Sequence, residues 1–395
     1  MPTPSHLEPS PAGVTDSAAS FWPVPRSLML ALAVSALICL ALAALTYGSN
    51  DVVYFQSYVV KASHEGIDAL YRDGANLIAF HPDFVAPMTN PPALLGLLAG
   101  IQRFQDLSGL PFRFWFRLLT TIANLVSALL VWRIVSLRAA VAYALCPTAI
   151  MIAGFHGHPD PLVVALLLAS VYFAERNSAI PAGLLFGIAC SIRVWPLFVG
   201  LAFLLGMQTW RSRLRFCGSG AVVAAVLALP YAPHLRAAVA NILRYHGASG
   251  AWGLSQLPFY VPIGVPFTFT AIALSLVYLR RRGARLSFMV GFSMLLFLVL
   301  TPGFSVQYLA WLSPFYFLFG NRPAIALYIT ASVFLAAVYT QWSGGIPWYF
   351  ADSLIHHSGW LAVGYSAAVC WLTLAISAFL ALEGFKPSPP SSNQA

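Results

Sequence analysis

The chain has 395 residues, 59% of them hydrophobic and only 8% charged, with a formal net charge of +9. A soluble domain carries about 25% charged residues, so this composition excludes an ordinary soluble protein and indicates a polytopic membrane protein. The basic excess is no argument for a nucleic-acid partner, because cytoplasmic loops of membrane proteins collect Lys and Arg.

In chain order, residues 1–25 are rich in Pro, Ser and Ala and read as a disordered cytoplasmic tail. The apolar run after Arg26 is about 20 residues long, which is too long for a signal-peptide core, and no convincing cleavage site follows it. It reads as a retained first span, 27–47, followed by a long outer loop, 48–113. Within that loop, 91–105 (PPALLGLLAGIQRFQ) is expected to lie along the membrane surface as a helix. Counting it as a span would invert every later loop and put RRRGAR outside. Further spans are expected at 114–134, 139–155, 160–175, 181–194, 196–210, 216–232, 260–279, 286–302, 306–320, 323–341 and 358–382. The predicted fold class is therefore all-α, one transmembrane bundle over 26–385 with about 12 spans. A disordered cytoplasmic tail, 386–395, closes the chain. The five cysteines show no CxxC spacing and read as small packing residues.

Charge sets the expected orientation. With the N-terminus cytoplasmic, one set of loops holds Arg133, Arg138, Arg176, Arg211, Arg213, Arg215, Arg280, Arg281, Arg282, Arg285, Arg322 and Lys386. Polar residues that this rule does not explain then gather at outward turns. Asp51 follows the first span; His156, His158 and Asp160 sit in FHGHPDPL; Arg193 sits in SIRVWPL; Gln307 and Tyr308 sit in TPGFSVQYLAW; Arg244 and His246 fall in a late loop. Such a concentration suggests a cleft at the outer water–membrane boundary. The HGHPD turn admits three readings. Its residue types suit a metal, but their separations match no strong zinc pattern. Pro159 and Asp160 suit a helix start, and His156, His158 and Asp160 suit a site wall. The helix-start and site-wall readings are compatible with each other, and no metal ligand set is assigned.

Four stretches carry a resemblance: Asp51 followed by Tyr54 and Tyr58; Asn90-Pro91-Pro92; Gly157 to Asp160 followed by Gly183 to Pro196; and Gln307-Tyr308 through Pro314. In this order and topology the chain resembles the GT-C superfamily of integral-membrane glycosyltransferases, nearest to glycosyltransferase family 87, the bacterial polyprenyl-phosphate-mannose-type enzymes. Two departures stand out. Arg193 replaces the usual Lys, which keeps the charge but changes hydrogen-bond geometry, and Asn90 replaces the usual Tyr.

The resemblance implies transfer of a sugar, mannose in the first instance, from a polyprenyl-phosphate donor to a lipid or glycan acceptor, with inversion. It places the enzyme in a bacterial plasma membrane with the site on the outer face. Asp51 is then the expected general base, with a pKa raised at the membrane rim. Asp73 and Asp83 are the alternatives. Arg193 is the expected partner of the leaving phosphate. His156, His158, Asp160, Gln307, Tyr308, Arg244 and His246 are expected substrate contacts, and Pro91 and Pro92 fix chain geometry. No cofactor is expected, and membrane lipids are the other partners. A transporter or flippase is the main rival. It would place its polar groups near the midplane in related halves. An inactive member of the fold is the second.

Overall fold

The computed structural model describes residues 24–77, 81–244, 248–249, 252–354 and 360–384. The expected tails fall outside these except for Val24 and Pro25. Helix α1 (Arg26–Leu45) is the first apolar span. A two-residue strand, β1 (Gly48–Ser49), leads into α2 (Asn50–Glu65), α3 (Ile67–Asp73) and a hairpin of β2 (Ala75–Leu77) with β3 (His81–Ala86). Then comes α4 (Ala93–Ser108), which buries Leu94, Leu95, Leu98 and Ile101 and leaves Phe104 and Leu107 exposed. Its apolar stripe packs on α2 and on α5 (Phe112–Ile134), so the loop after α1 folds into a small cap around a second core, which Val163, Ala189, Ile192 and Ala238 of later helices join.

The main core gathers the remaining helices. Six stretches among the described residues are long and apolar enough to cross a membrane: α1, α5, Trp210–Arg244, Val261–Arg281, Asn321–Trp342 and Leu361–Glu383. One bent pair and five shorter apolar helices accompany them. The protein is thus an integral membrane protein, overwhelmingly helical, but several expected spans are broken. Span 139–155 becomes α6 (Leu137–Ala144), α7 (Pro147–Ile150) and a π-turn over Met151–His156, with a bend of 50°. Pro147 supplies no backbone N–H at that break. Helix α8 (Asp160–Ala174) and α9 (Ala179–Ile192) follow closely the expected pattern. Span 196–210 opens as a 3-10 turn, Trp195–Val199, around Pro196 before α10 (Gly200–Gly206). Span 306–320 likewise divides into α15 (Tyr308–Leu312) and a 3-10 segment, Ser313–Phe319, at Pro314.

The expected loop around 211–215 is a correction of another kind. Thr209 caps α11 (Trp210–Ala228), so Arg211, Arg213 and Arg215 belong to its first turns. Helices α9 and α11 touch backbone to backbone: a Cβ at Gly187 would lie 2.4 Å from the Gly220 carbonyl, so only glycine fits there. The chain continues through α12 (Leu235–Arg244), β4 (Ala248–Ser249), α13 (Val261–Arg281), α14 (Leu286–Leu300), β5 (Gly303–Phe304), α15 (Tyr308–Leu312), α16 (Asn321–Trp342), β6 (Phe350–Ala351) and α17 (Trp360–Glu383). Strand β1 pairs in parallel with β6, and β4 pairs antiparallel with β5. These short pairings, absent from an all-α expectation, tie loops together at the end of the bundle that holds the polar turns.

Candidate active site

The site begins where α1 ends. Arg117 of α5 is fully buried there and has no carboxylate among its partners. Its guanidinium donates to the carbonyls of Ala43 (2.9 Å) and Thr46 (2.7 Å) and to the Thr46 hydroxyl (2.8 Å), with a longer contact to the Gly154 carbonyl (3.5 Å). The last carbonyls of a helix lack intrahelical donors, and a buried cation satisfies them while complementing the negative helix end. The same group thereby clasps the α1 terminus to the π-turn. Ser49 adds a second tie. Its hydroxyl caps α2 through the Asp51 amide (3.3 Å) and donates to the His156 carbonyl (2.6 Å).

These ties bring Asp51 against the HGHPD turn. His156 Nε2 lies 3.0 Å from Asp51 Oδ2, and His158 Nε2 lies 4.0 Å from the same oxygen. His156 Nδ1 has no partner among the described residues, and Nε2 is the ring nitrogen that faces the carboxylate. Gly157 between them has φ +74°, and a Cβ there would lie 2.1 Å from Val52. The turn therefore requires glycine at 157 to let the two histidines converge.

Asp160 is fully buried behind this pair. Its carboxylate accepts from Trp311 Nε1 (2.8 Å) and Trp195 Nε1 (3.2 Å), and it lies 3.3 Å from Arg193 Nε and from His158 Nδ1. The two indoles stack with centroids 4.2 Å apart, and Tyr308 stacks on Trp311 at 4.1 Å. Arg193 also donates through Nη1 to the Asn90 side-chain oxygen. A buried carboxylate is tolerable only when its lone pairs are met, and here Trp311, Trp195 and Arg193 meet them, while the Asp160 amide donates to His158 Nδ1 at 3.3 Å.

Electrostatics correct one expectation. Burial alone would push the Asp51 carboxyl up, but the His156 hydrogen bond and charge, with His158 and Arg193, outweigh it and hold the group below the usual carboxylate range. Asp51 is an anion at neutral pH rather than an acid with a raised pKa. Burial and the Arg193 charge lower His158 despite its two carboxylate neighbours, favouring its neutral ring.

Asp51 and Arg193 line one cavity of about 190 Å³, together with Tyr54, Phe84, His158 and Gln307. A larger groove of about 590 Å³ runs from Arg193 and Asn90 along Trp195, Phe198, Phe297 and Tyr308. Of the expected contacts, Gln307 thus borders the small cavity and Tyr308 the groove, whereas Asp160 and His156 stand behind the walls. Arg244 is exposed at the end of α12 and lines neither. His246 lies outside the described residues, as does the side chain of Asp83. Asp73 pairs with Arg72 on the exposed surface, away from the cavity. Arg117, Trp311 and Asn50 also shape the site, and no motif in the sequence singles them out. The QYLAW segment contained the Trp311 signal, but an indole donor and an interfacial aromatic look alike in sequence. Among the described residues, no group of three or more His, Cys, Asp or Glu is arranged to hold a metal ion.

Two solved structures of ArnT from Cupriavidus metallidurans are similar to this chain. The apo form matches with TM-score 0.50 at 15% identity, and the form bound to undecaprenyl phosphate with 0.49 at 14%; each covers 90% of this chain and 76% of that one. No curated protein matches the chain. The apo likeness speaks to the fold alone. Residues 89–302, more than half the chain, match the model of glycosyltransferase family 87. They take in Asn90, the HGHPD turn, Arg193 and the large groove's lining apart from Tyr308 and Trp311, and on that match the chain belongs to glycosyltransferase family 87.

Proposed function

We propose that this protein transfers a sugar, mannose in the first instance, from a polyprenyl-phosphate donor to an acceptor hydroxyl at the outer face of the membrane. The observation that carries the reading is the meeting of two unlike cavities at Arg193. One is an apolar groove suited to a prenyl chain, and the other is a smaller cavity that holds the Asp51 carboxylate and several hydrogen-bonding side chains. Undecaprenyl phosphate bound to ArnT is a ligand of the same chemical kind.

In the proposed reaction the acceptor oxygen attacks the anomeric carbon and its proton passes to Asp51. The bond from that carbon to the phosphate oxygen breaks, and its electron pair leaves on the phosphate, beside Arg193. Attack opposite the leaving group inverts the anomeric centre. A guanidinium next to the departing phosphate stabilises charge that grows in the transition state. Asp51, lowered in pKa, is a weak base but is always ready. Its task is to accept a proton late, as the acceptor oxygen becomes acidic on bond formation. His156 and His158 keep the carboxylate oriented, while the indole clamp on Asp160 fixes Arg193.

Purified protein in lipid vesicles, given radiolabelled polyprenyl-phosphate mannose and a mixed cell-envelope lipid and glycan acceptor fraction, should form labelled product. Vesicle flux of the lipid with no transfer would instead support a transporter. Loss of transfer in Arg193→Ala, with normal amounts of folded protein, ties the activity to this site.

A further inference from the structure

Positions 51, 54, 55 and 58 of α2 fall on one helical face, and all four border the small cavity. Tyr54 stands one turn beyond Asp51, and its ring stacks with Phe84 of the β2–β3 hairpin, centroids 6.0 Å apart and planes 29° from parallel. Phe84 is 36% exposed, so the pair is not consumed by the core. The Tyr54 hydroxyl accepts from Asn50 Nδ2 at 2.9 Å. Asn50 is itself buried and held by Ser353 (2.8 Å) and Asp352 (3.4 Å), on the loop that β6 pins beside β1. The phenol is thus positioned from behind by an amide that occupies one of its lone pairs. Its own O–H remains to donate, because burial and the Asp51 and Asp352 charges push the phenol above its usual pKa.

Charge narrows the occupant. Arg193 is the one Lys or Arg among the described residues of the cavity wall, and the donor phosphate requires it. A second phosphate would face Asp51 with no second cation. Tyr58, Thr89, Asn90, Ser305 and Gln307 are neutral, and burial favours the neutral ring of His158. We propose that Tyr54 and Phe84 form the acceptor subsite, an aromatic platform for the apolar face of a neutral sugar ring whose hydroxyl is presented to Asp51. Aromatic rings offer electron-rich faces to the C–H groups of such a ring, and the phenol and amides fix its hydroxyls. This inference rests on the donor reading above for its chemistry, but ring binding can be read without turnover.

The test uses the full chain in nanodiscs and saturation-transfer NMR with a panel of neutral methyl glycosides (manno-, gluco-, galactopyranoside and arabinofuranoside). A short-chain polyprenyl phosphate is titrated in parallel. At least one glycoside should receive saturation from aromatic protons. Its affinity should fall at least 5-fold in Phe84→Ala and Tyr54→Ala and be kept in Phe84→Trp, with polyprenyl-phosphate binding unchanged. Binding of every glycoside unaltered by these variants, or no glycoside bound by the wild type, overturns the subsite. So does a phospholipid acceptor whose binding depends on Phe84. If platform-dependent sugar binding is found and no polyprenyl-phosphate sugar supports transfer, the subsite stands and the donor reading fails.

Discussion

The Ser49 hydroxyl donates a 2.6 Å hydrogen bond to the carbonyl of His156, 107 residues later in the chain. That bond joins the segment bearing the proposed base to the turn bearing its imidazole partner, and the same oxygen caps α2 through the Asp51 amide. Ser49→Ala removes both contacts. It should lower stability by about 1 kcal/mol, the usual loss for an N-cap. It should also lower kcat more than the KM for donor, because the Asp51–His156 alignment loosens while the lipid groove is untouched. Thermal unfolding and steady-state kinetics on the same preparation separate the two effects. Equal kcat in the variant would remove this tie from the mechanism.

Asp51→Asn should reduce transfer by on the order of 10² to 10⁴, the range for loss of a positioned acid or base, without loss of folded protein. The pH dependence follows from the lowered carboxyl. A depressed folded-state pKa means the base form persists through neutrality. The rate, like the stability this group contributes, is lost only as pH falls through a value below the ordinary 3.8. His156→Ala removes the largest lowering contribution and leaves the burial that raises the pKa. The acid limb of kcat/KM should therefore move upward in that variant. A profile unchanged by His156→Ala would separate the imidazole from the base.

Trp311→Phe keeps the aromatic stack with Trp195 and Tyr308 but deletes the 2.8 Å donor to Asp160. Leaving a buried acceptor short of a partner costs roughly 1–3 kcal/mol. Because Asp160 also holds Arg193, the Kd for polyprenyl phosphate should rise along with the loss of stability. Isothermal titration with polyprenyl phosphate reads the first and thermal unfolding the second. Arg193→Lys should retain part of this affinity, since it keeps the charge but not the forked geometry.

Arg117→Met should be the most damaging substitution outside the cavities. It leaves the carbonyls of Ala43 and Thr46 and the Thr46 hydroxyl without their donor in a buried place, each at roughly 1–3 kcal/mol. Yield of monodisperse protein and its melting temperature check this, with Arg117→Lys expected to recover only part of the loss.

The helical class, the family, and the convergence of Asp51, His158 and Arg193 were legible because charge and hydropathy group the polar turns at one end of the spans without knowledge of packing. What the chain did not show follows from the same limit. Proline could be seen at 147, 196 and 314, yet whether it bends a span or breaks it depends on neighbours that supply donors. Arg117 looked like one more residue inside a span, since its acceptors belong to helix and turn ends 37 to 75 residues away. The raised pKa expected at a membrane rim failed for Asp51 because histidines distant in sequence stand at 3.0 and 4.0 Å. Arg244 is the opposite case: expected in a late loop near the site, it ends α12 exposed and lines neither cavity, although Ile242 just before it borders the groove.

The clasp of Arg117 on the last turn of α1 has a mechanical consequence. Helix α1 has 20 residues and keeps most of its surface toward the surroundings rather than the bundle. At about 1.5 Å per residue it is close to the thickness of a bilayer's hydrocarbon layer, so its tilt follows the lipid around it. Its far end is bolted to the π-turn, and Asp51 begins six residues beyond it. Acyl-chain length should therefore act on the distance between carboxylate and imidazole, making turnover peak in bilayers of matched thickness and decline on either side.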